Sequence, residues 1–213
     1  MRGTALINLN KDVTACKVCK SLAISRKNIC LGYGDCNARI IFVGLAPGKD
    51  GADLTGVPFT RDPSGRLFQE AMIYIGFSKE DDPSSEKPML KGVYVTNLVK
   101  CNPKDAKGNN RDPSKTEIAN CMKHLQKEIN ALNPVIVVLF GKTVTESLLG
   151  IKIRSMKNNH GKEVYANNRA YLPFIHPSYV IRGAYNRDKY ITELSESINQ
   201  LLGQKLLLHK KSS

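Results

Sequence analysis

Four apolar runs alternate along the chain with segments whose apolar residues recur at helical spacing. Continuous apolar runs are typical of strands buried on both faces of a parallel sheet. The order β-α-β-α-β-α-β-α predicts a three-layer α/β/α sandwich with a central four-stranded parallel sheet and right-handed crossovers. Pro173 in the last run predicts that this strand lies at a sheet edge. The predicted strands are residues 39–45, 92–99, 135–140 and 170–175, and the predicted helices are residues 65–76, 114–132, 143–149 and 187–202.

Polar and glycine-rich segments follow the predicted strands at their carboxyl ends. The first strand leads into the turn GLAPG at residues 44–48, the second into Asn97 and the fourth into His176. In open α/β sheets, ligands bind outside the carboxyl ends of the strands. We therefore expect one ligand site at this edge of the sheet. The glycines of the turn let backbone amides approach a ligand, although a tight turn without a ligand explains the same residues.

The charge of the chain narrows the class of partner. With 32 Lys and Arg against 19 Asp and Glu, the 213 residues carry a net charge of +13. Such an excess favours a polyanionic partner, nucleic acid first, with acidic membranes or ribosomal association as alternatives. The sequence has no apolar stretch of transmembrane length and no signal peptide, so we expect a soluble, cytoplasmic protein. With nucleic acid as its partner, we further expect it to associate with the nucleoid, as a monomer. One domain is expected over residues 1–205, followed by a basic tail at 206–213.

Four of the six cysteines form two well-separated pairs. Cys16 and Cys19 form a C-x2-C pair, and Cys101 and Cys121 bracket the polar loop NPKDAKGNNRDP. Two such pairs, brought together by the fold, suit a structural Zn²⁺ or an iron–sulfur cluster. Residues 16–36 are then expected to form an N-terminal, metal-tethered lobe. The remaining two, Cys30 and Cys36, are equally explained as packed thiols, a local disulfide or spare ligands.

Four side chains near the strand ends are candidates for chemistry. Phe59 suits stacking on a planar ligand or anchoring a loop in the core. Asp62 suits polarising a water molecule or capping the helix that follows it. The amide of Asn97 both donates and accepts, so it can distinguish uracil from cytosine, whereas a structural Asn would only bind loop backbone. His176, whose neighbour Pro177 fixes the backbone, suits a hydrogen bond to the developing anion of a leaving base.

The segment after His176 has the composition of a DNA contact. Tyr179-Val180-Ile181-Arg182-Gly183 mixes apolar wedges with a cation, which suits insertion into a duplex. Arginine side chains commonly contact phosphates. The expected DNA-binding residues are Ser178, Tyr179, Arg182 and Arg187.

Taken together, these motifs resemble the uracil-DNA glycosylase superfamily, specifically its iron–sulfur branches, families 4 and 5. The resemblance extends from Cys16 to about Leu202 and rests on CKVC, GLAPG followed by TGVPF, VTNLVKCNP followed by NNR and a cysteine, and HPS. Leu45 stands where family 4 has an acidic residue, and Asp62 falls on the acidic position of family 5. Asn97 and His176 match family 4, so the two patterns are mixed in this chain.

The resemblance implies a DNA glycosylase that flips uracil, or another deaminated base, out of DNA and hydrolyses its N-glycosidic bond. It implies a 4Fe-4S cluster on Cys16, Cys19, Cys101 and Cys121, with zinc as the alternative. The expected catalytic residues are Asp62, His176, Asn109 and Asn110, and the expected substrate-binding residues are Gly44, Ala46, Pro47, Gly48, Phe59 and Asn97.

Three other functions remain open at this stage. A family-5-like enzyme would also excise hypoxanthine and xanthine. A non-catalytic nucleic-acid-binding module held together by iron–sulfur or zinc would bind DNA and leave no abasic sites. A redox protein would show an accessible reversible couple. Neither of the last two requires polar residues concentrated at the strand ends.

Overall fold

The computed structural model describes residues 2–210, with side chains as far as residue 204. A six-stranded sheet lies between helices within these residues. Its strands are β1 (Tyr33–Gly34), β2 (Ile40–Gly44), β3 (Val93–Asn97), β4 (Ile136–Phe140), β5 (Val164–Ala166) and β6 (Arg169–Phe174). The helices are α1 (Arg2–Thr14), α2 (Lys20–Ser25), α3 (Ala52–Thr55), α4 (Pro63–Ile75), α5 (Lys115–Leu132), α6 (Lys142–Leu149), α7 (Pro177–Ile181) and α8 (Arg187–Lys210).

The sheet is mixed, with strand order β1-β3-β2-β4-β6-β5. The four central strands are parallel, as the apolar runs predict, whereas β1 and β5 pair antiparallel at the two edges. The prediction of a four-stranded, wholly parallel sheet is therefore wrong. Both edge strands lack the apolar run on which that prediction depended, because β1 has only two residues and β5 is largely exposed.

The prediction that Pro173 marks an edge strand is also wrong. Its strand, β6, lies between β4 and β5. However, β5 pairs only as far as Tyr171, and beyond that point the Gly161 amide donates to the Pro173 carbonyl oxygen at 2.9 Å. The missing N–H of Pro173 therefore costs no ladder hydrogen bond with β5. The hairpin between β5 and β6 turns on Asn167 and Asn168, both with positive φ, which suits a two-residue turn.

Alternate residues of the buried strands pack on opposite faces of the sheet. On one face, Ile40 and Phe42 of β2 pack with side chains from α4, α7 and α8. On the other, Ile41 and Val43 pack with side chains from α1, α2, α5 and α6. The three-layer α/β/α arrangement of the prediction is therefore present, and the apolar surface of every central strand is covered.

The N-terminal segment packs as two short helices beside this sandwich. Helix α1 lies against α5 and buries Leu6, Leu9 and Val13. Helix α2 follows the first cysteine pair and buries Leu22. Neither helix was predicted from the apolar pattern, although both contribute to the core.

The backbone of α8 continues through Lys210, so residues 206–210 of the predicted tail are helical. Residues 211–213 of that predicted tail lie outside the described residues. No helix in the described range is both long and apolar enough to cross a membrane.

Candidate active site

A cleft of about 390 Å³ opens at the carboxyl ends of the four parallel strands. The topology brings to this one edge the turn after β2, the end of β3, the start of α6 after β4, and the start of α7 after β6. Most of the side chains predicted from the sequence meet here. Those that line the cleft are Ala46, Pro47, Gly48, Phe59, Asp62, Asn97, Asn110, His176, Ser178 and Arg182.

Four predicted residues lie away from the lining of this cleft. Gly44 is buried beneath its floor, and Asn109 is exposed, where it accepts a hydrogen bond from Lys49 Nζ at 3.1 Å. Tyr179 lines a neighbouring cleft. Arg187 is paired with Glu70 on α4. These four residues therefore lie beneath or beside the cleft and do not line it.

The Phe59 ring is both part of the core and part of the cleft wall. Its centroid lies 4.6 Å from that of Phe68 and 5.8 Å from that of the His176 ring. Its backbone has φ of +52°, which is rare outside glycine and costs free energy. Gln69 Nε2 donates to the Phe59 carbonyl oxygen at 3.1 Å, and a Cβ on Gly65 would lie 2.8 Å from its carbonyl carbon. Gln69 and Gly65 therefore hold the backbone of Phe59, while Phe68 and His176 pack against its ring.

Asn97, the last residue of β3, is 3% exposed and has its amide fixed by two neighbours. Asn97 Nδ2 donates to Cys30 Sγ at 3.6 Å. A Cβ on Gly44 would lie 2.4 Å from Asn97 Oδ1 and 2.7 Å from Phe59 Cζ. Only glycine fits at position 44, because its bare Cα leaves room for both side chains. Burial raises the pKa of the Cys30 thiol to about 12, so this sulfur is a neutral partner.

Asp62 caps α4 and at the same time faces the cleft. Its Oδ1 accepts from the Gly65 amide at 2.7 Å, as expected for an N-cap aspartate. Its Oδ2 points to the turn after β2, where a Cβ on Gly48 would lie 3.0 Å away. Burial raises the pKa of this carboxyl, and hydrogen bonds from the Gly65 and Ser64 amides partly offset the rise. The capping role of Asp62 is therefore present and its carboxylate also faces the cleft, whereas the polarising of a water molecule stays a prediction.

His176 begins α7 and has a defined tautomer. Its Nδ1 accepts from the Ser178 amide at 3.1 Å and lies 2.9 Å from Ser178 Oγ. Because Nδ1 is an acceptor, we place the proton of the neutral ring on Nε2. Burial, together with the charge of Arg182, lowers the pKa of His176 to about 4. A neutral ring with a fixed N–H donor results.

Asn102 holds the turn after β2 and is a residue that the sequence pattern missed. It is fully buried, and its Nδ2 donates to the Pro47 carbonyl oxygen at 2.5 Å and to Asn110 Oδ1 at 2.8 Å. Asn110 Oδ1 in turn accepts from the Lys49 amide at 2.9 Å. The loop between the distal cysteines is thereby tied to the cleft wall. The position of Asn102 directly after Cys101, in the motif KCNP, is the sequence signal that could have identified this residue.

Cations border the cleft on the side of α6 and α7. Lys142 and Arg182 are exposed and line both the cleft and its neighbour, and Lys157 Nζ lies 5.8 Å from the centroid of the Tyr179 ring. Arg111 also lines the cleft but is held by a bidentate pair with Glu117. This border suits a polyanion that runs past the opening.

The four predicted ligand cysteines line one small cavity between α2, α5 and the end of β3. Their thiols are free, and three of them accept hydrogen bonds. Arg26 Nη1 lies 3.1 Å from Cys101 Sγ, Asn120 Nδ2 lies 3.4 Å from Cys19 Sγ, and the Lys100 amide lies 3.3 Å from Cys121 Sγ. Of the other two cysteines, Cys30 is buried and Cys36 exposed.

His124 supplies a test of whether these cysteines suit a metal group. It lines the same cavity, is 6% exposed, and neither of its ring nitrogens has a hydrogen-bond partner in the described protein. A buried unsatisfied N–H costs about 1–3 kcal/mol, so a polar group in the cavity would relieve it. Four thiols and an unsatisfied imidazole around one cavity fit a metal group. Within residues 2–210, no group of three or more His, Cys, Asp or Glu side chains is already arranged so that it could hold a metal ion.

Fold and cleft together define an α/β/α protein with a ligand site at the carboxyl ends of its parallel strands, lined by an aromatic ring, an amide, a carboxylate and a neutral histidine. Comparison with known proteins gives the family. A family model described as the uracil DNA glycosylase superfamily matches residues 31–199. The chain belongs to this superfamily.

Individual relatives come from both predicted branches. The chain is 29% identical over 208 residues to the Type-4 uracil-DNA glycosylase of Archaeoglobus fulgidus, covering 94% of this chain and 95% of that protein. It is 32% identical over 179 residues to the Type-4 enzyme of Thermotoga maritima, covering 84% of each. It is 34% identical over 151 residues to the Type-5 uracil-DNA glycosylase of Pyrobaculum aerophilum, covering 68% of this chain and 64% of that protein. The predicted branch is confirmed.

Proposed function

We propose that this protein excises uracil from DNA by hydrolysing the N-glycosidic bond and leaving an abasic site. The observation that carries the proposal is the meeting of Phe59, Asn97, Asp62 and His176 around one cleft of about 390 Å³. A base inside a duplex cannot reach such a cleft, so the nucleotide must be flipped out of the stack. The names of the relatives support the same substrate.

Asn97 reads the edge of the flipped base. Uracil presents the O4 acceptor beside the N3–H donor, whereas cytosine presents an amino donor beside a bare acceptor. One N–H of the Asn97 amide is directed to Cys30 Sγ, which leaves the second N–H for O4 and Oδ1 for N3–H. Phe59 stacks on the ring of the base, because its own ring lies in the cleft wall and packs against Phe68 and His176. Together they select a planar base with the uracil pattern.

His176 stabilises the leaving base. As the bond between the sugar and the base breaks, its electron pair leaves with the base, which becomes an anion. A neutral imidazole with its proton on Nε2 donates to the developing oxyanion without transferring the proton. Its low pKa, about 4, keeps the ring in this neutral form at physiological pH.

Asp62 positions the attacking water. The oxygen of this water forms a bond to the sugar carbon from which the base leaves, and the proton that it loses passes to the carboxylate or to solvent. The carboxylate also stabilises the positive charge that develops on the sugar. Asn110 lines the same wall and assists in holding the water, while Asn109 supports this loop through Lys49.

The DNA backbone runs along the cations beside the cleft. Ser178, Tyr179 and Arg182 on and after α7 contact the strand that carries the flipped nucleotide. Arg187 releases Glu70 when it binds a phosphate. The net charge of +13 supports a polyanionic partner. A monomer is sufficient for this binding.

The four cysteines of the small cavity hold a 4Fe-4S cluster, with zinc as the alternative. A single zinc ion would draw four sulfurs to about 2.3 Å from one point. The four cysteines line one cavity, and the resemblance of their motifs to the iron–sulfur branches favours the cluster. Such a cluster supplies a covalent crosslink between the N-terminal lobe and the loop from 101 to 121. The residues that act on the base lie in the separate cleft.

The proposal is tested by incubating the protein with oligonucleotides that carry uracil, hypoxanthine, xanthine or a T·G mismatch, with cytosine as the matched control. We expect alkali-labile abasic sites from uracil and none from cytosine. Excision of hypoxanthine or xanthine as well would extend the substrate range to that of a broad-specificity enzyme. DNA binding without any abasic site would refute the proposal and favour a non-catalytic module.

The cofactor is tested separately on the purified protein. We expect a brown colour and about four iron atoms with about four acid-labile sulfides per chain. Zinc without iron would refute the cluster and leave the proposed excision intact.

A further inference from the structure

Lys100 is a charged residue in the interior, directly behind the residue that reads the base. It is 1% exposed, and it follows β3 by three residues. Burying an ammonium group away from water is costly unless every one of its protons is bonded. Its partner Glu128 on α5 is also 1% exposed, with Lys100 Nζ at 2.6 Å from Glu128 Oε2.

All three protons of this ammonium have acceptors, and one acceptor is Asn97 itself. Lys100 Nζ donates to the Asn97 carbonyl oxygen at 2.9 Å, to Thr96 Oγ1 and to Glu128 Oε2. Thr96 Oγ1 also donates to Glu128 Oε2 at 2.9 Å. The ion pair therefore fixes the backbone at the end of β3.

The backbone of Lys100 holds the side chain of Asn97 from the other direction. The Cys30 amide donates to the Lys100 carbonyl oxygen at 2.8 Å, and Cys30 Sγ accepts from Asn97 Nδ2. A closed circuit of contacts thus runs from the Asn97 carbonyl through Lys100 and Cys30 to the Asn97 amide. The Lys100 amide is fixed as well, because it donates to Cys121 Sγ.

A buried ion pair contributes little net stability compared with apolar residues of the same size. We propose that Lys100 and Glu128 are positioning residues for base recognition, and that they hold the Asn97 carboxamide in the orientation that reads uracil. This inference rests on the proposed function. It predicts that replacing the polar side chains of this network by apolar ones keeps the fold but weakens recognition of the base.

The test compares the wild type with Lys100→Met and with the triple variant Thr96→Val, Lys100→Met, Glu128→Met. The single variant leaves a buried, unpaired carboxylate and is expected to lower the melting temperature. The triple variant removes the whole polar network, so its melting temperature should return to near that of the wild type. Ile198→Ala on α8, in the core of the opposite face, is the control for lost stability without contact to Asn97.

The measurements are calorimetric binding of free uracil, and KM and kcat for a uracil oligonucleotide, with iron content checked in each variant. For the triple variant we expect affinity for free uracil and kcat to fall about 10- to 100-fold, the loss typical of a misplaced group. Its KM should stay within about threefold of the wild type, because DNA backbone contacts dominate it. Ile198→Ala should bind free uracil as the wild type does.

The inference is overturned if the stable triple variant binds free uracil and excises it within about twofold of the wild type. A triple variant that does not fold overturns it too, because the ion pair would then serve stability. An equal loss of uracil affinity in Ile198→Ala has the same consequence. A wild type that neither excises nor binds uracil refutes the proposed function instead.

Discussion

Replacing Asp62 by Asn separates the two roles of this residue, helix cap and catalytic carboxylate. Asn caps helices as well as Asp does, so its side-chain oxygen can still accept from the Gly65 amide. The charge, however, is lost from the side of the residue that faces Gly48. We therefore expect Asp62→Asn to keep the fold and lose excision.

The effect on stability follows from the pKa of Asp62, which burial raises. A raised pKa means that, above the unfolded value, the folded state holds the carboxylate at a cost relative to the unfolded chain. The neutral amide removes this cost, so the melting temperature of Asp62→Asn should equal or exceed that of the wild type. Asp62→Ala, in contrast, removes the cap and should cost about 0.5–2 kcal/mol. For a chain of this size that lowers the melting temperature by roughly 1–8 °C.

The assay is scanning calorimetry together with single-turnover excision from a uracil duplex. Both variants should excise about 10²- to 10⁴-fold more slowly, the range for loss of an acid–base group. The reasoning is refuted if Asp62→Asn melts as low as Asp62→Ala, or if Asp62→Asn excises at the wild-type rate. Equal melting temperatures would show that the amide introduced by Asp62→Asn does not replace the helix cap. A wild-type excision rate would show that the carboxylate is not catalytic.

The remaining predictions concern the other residues of the cleft. His176→Ala should lower kcat about 10²- to 10³-fold with little change in KM, measured by steady-state excision, because one anion-stabilising donor is lost. Gly44→Ala should abolish binding of free uracil in calorimetry, because the new Cβ would lie 2.4 Å from Asn97 Oδ1; unchanged binding would contradict that geometry. The pH profile of kcat should show no inflection near 6.5, the ordinary pKa of histidine, because His176 is neutral down to about pH 4. Activity should fall only in the acid range, as Asp62 and His176 take up protons, and a break near 6.5 would contradict this.

The sequence was sufficient to predict the elements that bury continuous apolar surface. The four parallel strands and the helices α4, α5 and α6 lie within a few residues of their predicted bounds, because periodicity reports burial directly. Helix α8 begins where predicted but continues to Lys210, eight residues beyond its predicted end. Ser114 caps α5 in a capping box with Glu117, so the predicted start of this helix carries its own local signal. The antiparallel edges were missed, because two or three residues that pair on one side carry little hydrophobic signal. The adjacent residues Asn167 and Asn168 were the available sequence signal for the hairpin, because asparagine tolerates the positive φ that both adopt.

The cleft residues were predictable because strand ends converge in a doubly wound sheet. The residues that orient them were not. Gln69 binds the Phe59 carbonyl across ten positions, and Glu128 binds Lys100 across 28. Neither pair follows a helical or strand period, since each depends on the packing of a helix against a distant segment. Asn109 and Asn110 show the same limit, because only Asn110 lines the cleft although the two are adjacent.

The structural and the chemical readings of the cleft residues are complementary. Asp62 commits Oδ1 to the start of α4 and directs Oδ2 to the turn at Gly48. His176 commits Nδ1 to the start of α7, which places its proton on Nε2. Asn97 commits one N–H to Cys30. Each of these side chains uses one polar atom in a hydrogen bond within the protein and keeps another for a ligand, so the hydrogen bond that fixes the side chain also orients the reacting atom. A substitution that preserves only the structural atom, such as Asp62→Asn, should therefore leave a stable protein that excises far more slowly than the wild type.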